Sequence, residues 1–134
     1  MSDFLFDTDT LIRCLRGVPE TLELASRLTE DGDLHISVWS QFEILTLTQP
    51  REEKRTLEFL APFISHAINE DIATHAAELL RKQGEITPVL TFGEAMIAAT
   101  ALRHGLTLVS YGSNKLMSLE GLKLLELGKV AKSY

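Results

Sequence analysis

Three carboxylates occupy positions that solvation alone does not explain. Asp7 closes the short apolar run Phe4-Leu5-Phe6, with Asp9 two residues on, while Glu43 and Glu94 each interrupt a segment of otherwise apolar helical pattern. Hard divalent cations take oxygen ligands, and Mg2+ commonly needs only one or two carboxylates, with water filling the remaining positions. Separated acids that converge in the fold would therefore make a divalent-metal site. Each acid also has a plainer explanation. Asp7 or Asp9 can cap the helix that follows, since Asp is a favoured N-cap, although two acids around Thr8 exceed what one cap needs. Glu43 has Trp39 and Leu47 one turn away, so it lies on an apolar stripe. An unpaired buried charge there is costly, and calls for a cation, such as an arginine or a metal, or a strong hydrogen-bond donor. Glu94 completes Thr91-Phe92-Gly93-Glu94, the pattern of a capping box in which Glu94 bonds back to the start of its own helix.

The remaining chemistry-bearing residues form no comparable set. His35, His66, His75 and His104 lack the spacing of a zinc site. There is no glycine-rich phosphate loop and no Ser-His-Asp order. Cys14 shares a helical stripe with Leu11 and Leu15, and reads as a small core residue.

The elements that must position the acids alternate between strand and helix. Phe4 to Phe6 reads as a strand, followed by a helix from near Thr10 to the stop at Gly17. Pro19 opens a second helix that closes at Gly32. Leu34 to Ser37 is a strand, Val38 to Leu47 a helix stopped by Gln49-Pro50, and Arg51 to Leu60 a further helix. A strand over Phe63 to Ala67 leads to a helix capped by Asn69 and ending near Gly84. After a loop with Pro88 come the apolar helix Ala95 to Arg103, closed by His104-Gly105, a strand over Leu106 to Val109 and a last strand over Leu122 to Leu127. This alternation predicts an α/β fold, with a parallel central sheet flanked by helices on both faces. In such sheets ligands sit beyond the carboxyl ends of the strands, where Asp7 falls.

A chain of 134 residues is about one domain, so a single domain is expected over residues 1–134. No apolar run approaches the roughly 20 residues that span a bilayer, and the N-terminus lacks a basic n-region. With one cysteine and no signal pattern, a cytoplasmic location is expected. The net charge of −6 argues against a broad basic surface for nucleic acid, but a bound cation can still attract phosphate locally.

Three blocks carry a family resemblance: Asp7-Thr8-Asp9-Thr10-Leu11-Ile12; Ser37 to Leu45 around Glu43; and Glu94 to Ser110, an alanine-rich helix followed by His104-Gly105-Leu106 and a strand ending in serine. On these the chain resembles PIN-domain proteins over nearly its full length, and in size and layout it is similar to the VapC toxins of toxin-antitoxin pairs. The resemblance implies a metal-dependent endoribonuclease whose acids hold Mg2+ or Mn2+ and activate water to hydrolyse an RNA phosphodiester. Carried over residue by residue, Asp7, Glu43 and Glu94 match the first, second and third acids, as catalytic residues and metal ligands, with Asp9 and Ser110 as supporting candidates. It also implies RNA as substrate, a homodimer, and a small antitoxin that lays a segment over the acidic pocket.

Two departures stand out. The third acid is usually Asp, so Glu94 is one methylene longer. Where the family continues with Asn or Asp after the strand, and then Asp-Phe, this chain has Gly112 and Lys115-Leu116, so the fourth acid has no counterpart. If Lys115 approaches the pocket, its charge weakens metal affinity and can contact phosphate. A second expectation follows, of a different class: a PIN-like domain that has lost catalysis and acts as a protein- or RNA-binding module. Asp7-Thr8-Asp9 also fits the nucleophile motif of haloacid-dehalogenase-like phosphatases, but those need late metal-binding aspartates and no Asp follows Asp71. A receiver domain would need a mid-chain Asp, absent between Asp33 and Asp71.

Overall fold

The computed structural model describes residues 3–83, 89–111 and 114–127. Gly84, Pro88 and Gly112, each given a place above, lie outside them. The strands are β1 (Phe4–Phe6), β2 (Leu34–Ser37), β3 (Ile64–His66), β4 (Thr107–Ser110) and β5 (Lys123–Glu126). The helices are α1 (Thr8–Leu15), α2 (Pro19–Asp31), α3 (Val38–Leu47), α4 (Glu53–Leu60), α5 (Glu70–Gln83), α6 (Phe92–His104) and α7 (Asn114–Met117). One short 3-10 turn, Pro50–Glu52, leads into α4.

All strand pairs are parallel, in the order β3-β2-β1-β4-β5. Strand side chains alternate between faces, and β1 shows the consequence. Phe4 and Phe6 join Leu11, Cys14, Leu28, Ile36, Ile44 and Leu60 on the side covered by α1 to α4. Leu5 points the other way, joining Leu108, Ile97, Ala98 and Ala101 under α6. Leu5 and Phe6 are almost wholly buried, and each such side chain stabilises the fold by about 1.5–3 kcal/mol. The α/β architecture with helices on both faces agrees with the alternation read from the sequence.

Alanines at 95, 98, 99 and 101 are buried, and their small side chains allow α6 to lie close to both the sheet and α5. The helix stops where Gly105 adopts φ 64, with its N–H bonded to Ala101 O, a left-handed cap that suits glycine. Some boundaries differ from the sequence pattern. Helix α1 starts at Thr8 rather than near Thr10, because Asp7 caps it. Strand β3 is shorter than expected and mostly exposed, as an edge strand can be. Helix α7 is too short to leave a periodic pattern.

The chain builds outward from β1 through β2 and β3, and then crosses to β4 on the other side of β1. The carboxyl ends of β1 and β4 therefore flank the switch point of the sheet, where a crevice opens in folds of this kind.

Candidate functional site

Asp7 stands at this switch point. Its Oδ1 accepts from Thr10 N at 2.9 Å and from Thr10 Oγ1 at 2.6 Å, and its own amide donates to Val109 O at 3.1 Å. The capping role is therefore real. It is not the whole role, because the Ser110 hydroxyl, at the end of β4, also bonds the Asp7 carboxyl. Burial raises the Asp7 pKa above the ordinary 3.8; the Ser110 and Thr10 bonds oppose that shift, and the negative charge of Asp9 adds to it. These bonded partners are neutral. Among the described residues Asp7 has no salt-bridge partner, and a cation would supply the counter-charge.

Glu43, partly buried on α3, meets no basic side chain within salt-bridge distance among the described residues. The Thr8 hydroxyl is bonded to it instead, with Oγ1 2.7 Å from Glu43 Oε1 and 2.9 Å from Ser40 Oγ. Since Thr8 directly follows Asp7, Asp7 and Glu43 flank one residue at the start of α1. The sequence held a sign of this, a hydroxyl between the two acids of Asp7-Thr8-Asp9, but nothing that linked it to α3. The expected apolar stripe around Glu43 is only half present: Trp39 is partly buried, whereas Leu47 is 69% exposed and Phe42 61%.

Glu94 sits in the first turn of α6, and the capping box forms: Thr91 N donates to Glu94 Oε1 at 2.8 Å, and Glu94 N to Thr91 Oγ1 at 3.1 Å. The same Oε1 lies 2.8 Å from Lys115 Nζ. Lys115 and Glu94 thus form an ion pair between α7 and α6. Trp39 links α3 to this helix end. A Cβ at Gly93 would lie 2.5 Å from the indole Nε1, so only glycine allows this approach, and Nε1 is buried with no hydrogen-bond partner among the described residues.

Asp9 faces outward and pairs with Arg13 at 3.2 Å, so it acts on Asp7 through charge rather than contact. The Arg13 guanidinium in turn lies 3.7 Å over the Tyr111 ring, and the Tyr111 hydroxyl is hydrogen-bonded to Thr21. These contacts anchor the chain just beyond Ser110. Burial pushes the Cys14 thiol up to about 11, in keeping with a core residue.

Three of the histidines do meet, away from the acids. His35 Nε2 lies 3.0 Å from Asp3 Oδ2, His35 Nδ1 lies 2.7 Å from His66 Nε2, and the His66 and His104 ring centroids are 4.2 Å apart. Burial, then the neighbouring His104 and His35, hold the His66 pKa below its ordinary value. These residues come from separate elements, so sequence spacing conceals the chain they form.

Among the described residues no three His, Cys, Asp or Glu side chains stand together as a group that could hold a metal ion. Glu94 is bonded to its own helix start and to Lys115. Asp7 and Glu43 nevertheless fit a hard divalent cation in their chemistry, being oxygen donors, both partly buried, and Asp7 having neutral bonded partners. A separate cavity of about 300 Å3 opens between α1, α3 and α4, lined by apolar residues such as Ile12 and Ile44 and by the polar Arg16, Arg55, Glu52 and Thr56. None of the three acids lines it.

A model of the PIN domain matches residues 4–117, a span that includes Asp7, Glu43, Glu94, Ser110 and Lys115. The chain belongs to the PIN domain family. This PIN domain is similar to Ribonuclease VapC10 of Mycobacterium tuberculosis, with 33% identity over 97 residues covering 72% of this chain and 73% of that protein. Among solved structures, the toxin-antitoxin complex from Klebsiella pneumoniae aligns at a TM-score of 0.72 with 26% identity, over 90% of this chain and 94% of that one. VapBC2 from Rickettsia felis, bound to a DNA fragment from its promoter, aligns at 0.79 with 15% identity, over 92% and 98% respectively, and bears on the fold alone. No helix among the described residues is long and apolar enough to cross a membrane.

Proposed function

We propose that this PIN domain is a metal-dependent endoribonuclease of the VapC toxin type, with Asp7 and Glu43 as the primary ligands of Mg2+ or Mn2+. The carrying observation is the Asp7 carboxylate: partly buried at the β1–β4 switch point, bonded to neutral groups, and adjacent to Thr8, which is bonded to Glu43. Membership of the family, and the similarity to a protein named as a ribonuclease, supply the reaction class.

When bound, the metal ion supplies positive charge at the scissile phosphate and lowers the pKa of the attacking water. The chain's own residues prepare the place. Thr10 and Ser110 fix the Asp7 carboxylate, Thr8 fixes Glu43, and Asp9 keeps the field at Asp7 negative. Glu94 is the third ligand in this reading, joining once it leaves Lys115. An antitoxin segment and a second copy of the chain are the proposed protein partners. The α1–α3–α4 cavity is lined by both apolar and polar residues, with Arg16, Arg55 and Glu52 among them, and is the surface proposed to receive such a segment.

One observation favours a second reading. The Lys115–Glu94 pair places a positive charge where another acid would otherwise strengthen a metal site, as expected of a PIN-like binding module without catalysis. A titration with Mn2+, run alongside RNA incubation, separates the two. The enzyme reading expects binding and cleavage by the unmodified chain, and neither by Asp7→Asn. No binding at millimolar metal, with RNA equally intact or equally cut in both proteins, defeats it.

A further inference from the structure

The partner of Glu94 is not a surface lysine. The Lys115 side chain is 18% exposed and that of Glu94 28%, so their contact is screened far less than one between solvated charges. Glu94 Oε1 already receives the Thr91 amide and the Lys115 ammonium, each at 2.8 Å. It also lies at the positive end of the α6 dipole. A divalent ion drawing on the same carboxylate would face the ammonium at close range, and two cations there repel strongly in a partly desolvated site.

We infer that Lys115 is an intramolecular competitor for the metal. It holds Glu94 out of the ligand set, so that an ion binds first to Asp7 and Glu43 and recruits Glu94 only by displacing the ammonium. This inference rests on the metal-site reading of Asp7 and Glu43. It explains why a chain with three acids at one end of its sheet presents no ready three-ligand group. It also makes Lys115 a positioning residue that sets the metal concentration at which the site fills.

The test is Mn2+ binding to the full chain, followed by the loss of the free-ion electron paramagnetic resonance signal. Lys115→Met keeps the length of the stem and removes the charge. It should tighten Mn2+ by about tenfold or more, the scale on which altering a ligand's hydrogen-bond partner moves metal affinity. The gain should vanish in Lys115→Met combined with Glu94→Gln, and Lys115→Arg should bind like the unmodified chain, which a purely packing role for Lys115 would not require. Should Lys115→Met fail to fold by circular dichroism, Lys115→Gln carries the same expectation. Unchanged affinity in the neutral variants, with binding still abolished by Asp7→Asn, overturns the competition and leaves the metal site standing. A gain that persists without the Glu94 carboxylate also overturns it. Absence of binding in every variant overturns both.

Discussion

Replacing Asp7 by Asn should stabilise the metal-free protein while removing its response to metal. An acid whose pKa is raised in the folded state ionises more readily when unfolded. Folded stability is therefore lost as pH rises from the ordinary 3.8 through the raised value, and the loss persists at neutral pH. Each unit of such displacement corresponds to about 1.4 kcal/mol. Asn retains an Oδ1 that can accept from Thr10 N, and it is as good a cap as Asp, although its bonds to Thr10 and Ser110 lose the strength that charge confers. The net expectation is a gain in stability, read as a higher Tm, fading below pH 3.8 where Asp7 itself is protonated. Asp7→Ala removes charge and cap together, and should fall below Asp7→Asn by about 1 kcal/mol. Thermal melts monitored by circular dichroism would then rank Asn above both Asp and Ala without metal. Mn2+ at a hundred times its Kd should raise only the unmodified chain, by about 2.7 kcal/mol. If Asp7→Asn melts as low as Asp7→Ala in the absence of metal, Asp7 is not a buried charge awaiting a cation, and the reasoning fails.

Thr8→Val removes the hydroxyl that orients Glu43. It should weaken Mn2+ binding by about 10–100-fold at a stability cost of only about 1 kcal/mol, measured by titration and by melting. Gly93→Ala drives a methyl against the indole of Trp39, the only tryptophan in the chain. The cost should be about 1–3 kcal/mol, with a shift in tryptophan fluorescence as α3 and α6 part. His66 has its pKa held below the ordinary 6.5, so its contribution is intact above that value and is lost as pH falls through it. In melts across this range His66→Gln should flatten the dependence of Tm on pH.

Much of the frame could be read locally. Helix α3 begins and ends where the sequence pattern places it, because Ser37 caps it and Gln49-Pro50 stops it. The apolar alanine-rich run marked α6 as a central helix, and Asp7 declared itself by closing an apolar strand. What the pattern could not carry were contacts between distant residues. The Thr8–Glu43 bond and the Lys115–Glu94 pair join elements far apart in sequence, and neither leaves a trace in local periodicity. The capping box at Glu94 was legible from Thr91, yet the pairing that decides its availability was not. Leu47 misled for the opposite reason: an apolar residue on a helix implies burial only where another element covers it.

The central claim is that Asp7 and Glu43 support hydrolysis of RNA by a metal-assisted water. End-group analysis of cleaved RNA tests it most directly. Attack by water leaves no 2′,3′-cyclic phosphate, whereas attack by the neighbouring 2′-hydroxyl does. The account predicts Mn2+-dependent products free of cyclic phosphate, abolished by EDTA, by Asp7→Asn and by Glu43→Gln. Cyclic ends, or cleavage that persists in EDTA or in either variant, would contradict it.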